Sequence, residues 1–140
     1  YIHQLKSKAP PGVDALIAAR VVNHSVVAVQ ELLHLVGALD PADPRTRTNV
    51  AAVRRLLDAI PSHRLTSPSQ SVMCDAAVYS GIVCRLQGYA KDRWMRALHD
   101  CTLFRQARSL GLTLLTSNVG DFNLLQQMLA GGRILFYETL

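Results

Sequence analysis

The stretch "HDCTLFRQARSLGLTLLTSNVGDF", His99 to Phe122, decides the fold. Leu103, Phe104, Ala107 and Leu110 recur at helical spacing, Gly111 breaks the pattern, and "LTLLT" then reads as a short apolar strand. A second helix follows through Phe122, Leu125, Met128 and Leu129. Helix feeding strand, and strand feeding helix, is the alternation of an α/β protein with a mainly parallel sheet. The stretch holds two acidic residues, Asp100 and Asp121, and the spacing puts each where a helix begins.

Working outward, Pro10, Pro11 and Gly12 lead into a short helix carrying Val13, Leu16 and Ile17. "HSVVAV" at 24–29 has the β-branched character of a strand covered on both faces, and helical spacing follows through Leu32, Leu35, Val36 and Leu39. Glu31 is thereby placed where strand turns into helix. Asp43 as N-cap and Pro44 at the first helical position open another helix with Val50, Val53, Leu57 and Ile60 on one face, and Pro61 stops it. The polar run "PSHRLTSPSQ" reads as a loop. Val72, Ala76, Tyr79, Val83 and Leu86 form the next helix, closed by Gly88, and "YAKDRWMRAL" adds a turn or a short helix. "RILFYE" after paired glycines is the last strand. The expected architecture is a three-layer α/β/α sandwich around a mainly parallel central sheet, in a single domain over residues 1–140.

Composition bounds the function. With 49% apolar and 18% charged residues, 140 residues support one packed core. The apolar runs fall short of the roughly 18 to 20 residues of a membrane span. No basic-then-apolar leader opens the chain, and a cytoplasmic protein is expected. Three cysteines without C-x-x-C spacing give no disulfide framework and no zinc site. Fifteen basic against ten acidic residues give a charge of +5. Twelve of the basic residues are arginine, which grips phosphate bidentately, so nucleic acid is a candidate partner beside the plainer reading of a solvated surface.

In a parallel sheet, ligands gather beyond the carboxyl ends of the strands. Glu31, Asp121 and the polar trio Thr116, Ser117 and Asn118 follow strands in that sense, and Asp100 joins them if the loop before it climbs to the same rim. Carboxylates gathered on one rim repel unless a cation neutralises them. Mg2+ or Mn2+ fits this need, since such ions take one or two carboxylates, several waters and the phosphate oxygens of a substrate. On an arginine-rich chain this points to metal-assisted cleavage of a phosphodiester. Taken singly, each acid also has a structural reading as a helix cap. Lys91, Arg93 and Arg96, ahead of Asp100, and Arg45, Arg47, Arg54 and Arg55 are candidates for holding a nucleic-acid backbone. Tyr89 and Trp94 either stack on bases or simply pack. His24, His34, His63 and His99 lack ligand spacing, and no glycine-rich phosphate loop follows any strand.

The His99–Phe122 segment resembles the C-terminal signature of PIN-domain ribonucleases, in which an Asp opens a helix, a Gly ends it, and a strand leads to Thr-x-Asn-x-x-Asp-Phe. Asp100, Gly111, Thr116, Asn118, Asp121 and Phe122 match in order and spacing. "SVVAVQELLHLVG" resembles the family's second motif, with Glu31 as its early Glu. Tyr1 and Ile2 resemble the residues just after the first motif, whose Asp-bearing strand is expected upstream of an N-terminally truncated chain. "DCTLFRQA" departs from the family's usual run of small residues.

The resemblance implies the toxin of a type II toxin–antitoxin pair, of the VapC type, cutting RNA with Mg2+ or Mn2+. It also implies a homodimer and a small antitoxin that inserts a segment into the acidic site. By the same resemblance Glu31, Asp100 and Asp121 are metal-ligating catalytic residues. By carry-over Thr116, Ser117 and Asn118 support those ligands or touch phosphate, beside the plainer reading of turn chemistry. Independently of the resemblance, the basic residues Arg93 and Arg96 ahead of Asp100 are candidates for holding substrate, beside the reading of a solvated helix face. A PIN-fold protein that binds RNA or a partner without cutting is the alternative, which an incomplete acidic set would produce.

Overall fold

Six α-helices and four short strands alternate along residues 8–139, the part of the chain described by the computed structural model. Tyr1 and Ile2, read above as following the family's first motif, lie outside the described residues. The chain divides into two compact units, one of residues 8–67 with 138–139, the other Pro68–Tyr137.

In the first unit, helix α1, Pro11–Ala18, starts on a proline at its first position, where the missing N–H costs nothing. Strand β1 is only His24–Ser25. The expectation of a strand through residue 29 fails because Ser25 Oγ accepts from Val27 N at 3.2 Å, and this cap starts helix α2, Val26–Gly37, inside the β-branched run. Glu31 is accordingly the sixth residue of a helix, not a strand–helix junction. Helix α3, Thr46–Asp58, begins later than Pro44 because Asp43 accepts from the backbone N–H of Arg45 at 2.8 Å and pairs with its guanidinium at 2.7 Å, holding a turn ahead of the helix. The polar run after Pro61 is more than a loop. It holds a 3-10 turn, Ser62–Arg64, and strand β2, Leu65–Thr66, which pairs parallel with β1. Thr66 Oγ1 also donates to the His24 carbonyl at 3.2 Å.

In the second unit, helix α4, Gln70–Gln87, is capped by Ser69 Oγ, which accepts from Val72 N. It closes at Gly88, whose φ of +63° is a left-handed conformation that glycine adopts without a Cβ penalty. Helix α5, Trp94–Ser109, packs along α4 and starts six residues before Asp100, so the expected helix start at Asp100 is corrected. The 3-10 turn Lys91–Arg93 feeds it directly.

Strands β3, Thr113–Thr116, and β4, Arg133–Phe136, pair parallel with Leu114 opposite Ile134, and helix α6, Val119–Met128, connects them. The core joins Ala76 and Val83 of α4, Cys101 and Phe104 of α5, Phe122 and Leu125 of α6, and Leu129, with Leu114, Ile134 and Phe136 packed on it from the strands. Burying each of the largest of these side chains contributes about 1.5–3 kcal/mol. At one end of the strand pair Arg108 Nε donates to the Ala130 carbonyl at 2.8 Å, and the Arg133 guanidinium donates to the Gly111 carbonyl. The parallel α/β alternation expected from sequence is therefore present. No helix among the described residues is long and apolar enough to cross a membrane.

Candidate functional site: an acidic pair bridged by an amide

Asp100 is the seventh residue of α5 and only 9% exposed. The free N–H groups of the helix start are out of its reach there, so helix capping does not explain this carboxylate. Asp121 is the third residue of α6, 6% exposed. Between them stands Asn118, the residue at which α6 begins. Its side chain caps nothing. Instead Asn118 Nδ2 donates to Asp100 Oδ2 at 2.9 Å and to Asp121 Oδ2 at 3.1 Å, so one amide bridges two carboxylates on different helices. Thr116, the last residue of β3, accepts from Asn118 N at 3.1 Å through its Oγ1 and thereby holds the turn that aims the amide. Ser117 lies half-buried in that turn, its carbonyl accepting from Val119 N.

Tyr89 completes the surroundings of Asp121 by donating its hydroxyl hydrogen to Oδ1. The Arg93 guanidinium lies over the Tyr89 ring, 5.3 Å from its centroid. Arg96, one helical turn before Asp100, brings its Nε to 3.9 Å from Asp100 Oδ2; its side chain is 70% exposed, so this pair contributes little. Tyr89, Arg93, Arg96, Ala97, Asn118 and Asp121 line a cavity of about 210 Å³. Of the residues singled out from sequence, Asp100, Asp121, Asn118 and Thr116 come together, with Arg93 and Arg96 on the same cavity. Glu31 stands half-buried on α2 of the first unit.

The neighbouring groups register the negative charge. Burial and then the charges of Asp100 and Asp121 push the Cys101 thiol up to about 12. Cys84 is raised by burial and by Asp121, and Tyr89 is raised first by its hydrogen bond to Asp121 and then by burial. Cys101 is thus a neutral thiol at physiological pH. No three His, Cys, Asp or Glu side chains gather as a ligand group among the described residues, so a closed zinc-type centre is not formed by them. Two carboxylates beside a cavity suit a hard cation instead, one that completes its coordination with water and phosphate oxygens. The donor set therefore fits Mg2+ or Mn2+.

Sequence reasoning missed Tyr89 as the partner of Asp121. Its residue type and its place after a helix-closing glycine fit packing equally well, and nothing in their spacing ties residue 89 to residue 121.

No family model matches this sequence, and no curated protein matches it either. Solved structures do. The fold is similar to that of VapBC2 from Rickettsia felis bound to a DNA fragment from their promoter, with a TM-score of 0.58 at 12% identity, over 91% of this chain and 83% of the matched one. It is similar also to VapBC-1 from nontypeable Haemophilus influenzae, with a TM-score of 0.58 at 15% identity, over 90% and 85% of the two chains. At such identities the likeness establishes the fold, a PIN-like α/β architecture.

Proposed function

We propose that this chain is a Mg2+- or Mn2+-dependent endoribonuclease, the VapC-like toxin of a toxin–antitoxin module. The observation that carries the proposal is the pair Asp100 and Asp121, buried and bridged by Asn118, with Arg93 and Arg96 on the same cavity. Asp100 and Asp121 would hold the ion, which when bound lowers the pKa of its water and polarises a phosphate oxygen. Asn118 keeps the two carboxylates at a fixed separation by donating to each. Arg93 and Arg96 meet non-bridging phosphate oxygens and neutralise part of the backbone charge. A small antitoxin, a homodimeric assembly and a cytoplasmic setting belong to the same proposal. It is supported by solved VapBC assemblies sharing the fold.

The rival is a PIN-fold protein that binds RNA or a partner without cutting, favoured by the gathering of only two carboxylates among the described residues of the second unit. The test incubates the full chain with single-stranded RNA in Mn2+ or in EDTA, beside Asp100→Asn, Asp121→Asn and Glu31→Gln. Cleavage in Mn2+ that EDTA and either Asp substitution abolish supports the nuclease. RNA bound but intact in Mn2+ favours the rival. Glu31→Gln tells whether the first unit supplies a ligand.

A further inference from the structure

Tyr89 is fixed along its whole length. Its backbone N–H donates to the Cys84 carbonyl at 2.9 Å in the closure of α4, and its carbonyl accepts from Trp94 Nε1 at 3.1 Å. The ring packs on the core, carries the Arg93 guanidinium on one face, and ends in the hydroxyl that donates to Asp121 Oδ1. Packing alone would require neither of the side-chain contacts, the hydroxyl to Asp121 and the ring under Arg93. The Asp121 carboxylate also has an alternative use. An acid at the third position of a helix can swing back to accept from the free N–H at the helix start. Its two oxygens instead accept from Tyr89 and from Asn118, the amide that also donates to Asp100.

We propose that Tyr89 is the positioning residue of the acidic site: its hydroxyl fixes the aim of Asp121, and its ring fixes Arg93 at the cavity, so one side chain sets where a divalent cation and a phosphate oxygen meet. This role rests on the metal-dependent reading above. Hydrogen-bond partners of metal-ligating carboxylates act in this way, and their loss weakens metal binding.

The experiment uses the full chain and measures Mn2+ affinity by calorimetry without RNA, thermal stability in EDTA, and binding of a single-stranded oligonucleotide in EDTA. Tyr89→Phe keeps the ring and loses the hydroxyl. It is expected to bind Mn2+ about 10- to 100-fold more weakly, with wild-type oligonucleotide affinity and a lowered thermal midpoint in EDTA, because the bond to the nearly buried Asp121 carboxylate is lost. Arg93→Met is expected to do the reverse, keeping Mn2+ affinity and weakening the oligonucleotide. Tyr89→Leu removes both hydroxyl and platform, and is expected to weaken both.

If Tyr89→Phe binds Mn2+ within about twofold of wild type while Asp121→Asn does not bind it, the positioning role is overturned and the metal site stands. An Arg93→Met variant with unchanged oligonucleotide affinity overturns the arginine half. A wild-type chain that binds no Mn2+ removes the metal reading and this role with it.

Discussion

Replacing Asn118 by alanine removes the donor between two nearly buried carboxylates, and its cost follows from the geometry. Two hydrogen bonds, of 2.9 and 3.1 Å, are lost at once. Hydrogen bonds to charged groups contribute about 1.5–3 kcal/mol each. The amide lines a cavity, so water takes part of its place, and we expect a net loss of about 2–3 kcal/mol. Loss of a helix cap adds nothing, because the Asn118 side chain does not cap α6. Urea unfolding of the full chain in EDTA measures the difference. Asn118→Asp should cost more than alanine, since it sets a third carboxylate between two others, and added Mn2+ should return part of that loss. An alanine variant that unfolds at the wild-type urea concentration would refute the claim that the bridge holds the pair.

Gly132→Ala would place a Cβ 2.3 Å from Phe104 Cζ and 2.6 Å from Cε2, against a ring 1% exposed; we expect a loss of about 1–3 kcal/mol that Phe104→Leu partly relieves in a double-mutant unfolding cycle. Cysteine reactivity should split, with exposed Cys74 modified at once by a thiol reagent and buried Cys101, its thiol pushed up to about 12, modified only on unfolding. Tyr89 is raised by its bond to Asp121, so that bond's stabilisation should be whole below the ordinary tyrosine value of about 10 and fade as pH climbs through the raised value. A spectrophotometric titration should show a late-ionising tyrosine in the wild type that Tyr89→Phe lacks.

The run from Gly111 to Phe136 was legible because its signals agree: a glycine stop, an apolar strand, a polar turn and a second helix closed by glycines. Thr116, Asn118 and Asp121 could be placed together because one turn carries all three. Asp100 was found by type and misplaced by context. Buried Thr102 and Gln106 interrupt the apolar face of α5, and exposed Trp94 and Met95 at its start give no inward stripe, so spacing placed the helix start too late. The strand expected at 24–29 failed for a local reason, one serine hydroxyl capping a helix inside residues that favour strands. The contact of Tyr89 with Asp121 joins residues 32 positions apart through a side-chain bond, which no periodicity encodes.

The setting of Asp100 deep within a sixteen-residue helix has a consequence of its own. Its Cα is held by main chain locked on both flanks, while its carboxylate shares the Asn118 amide with Asp121. Asp121 has a second donor in Tyr89. One amide thus sets the gap for both acids and one hydroxyl acts on a single acid, so exchange at residue 118 shifts both walls of the gap and exchange at residue 89 shifts one.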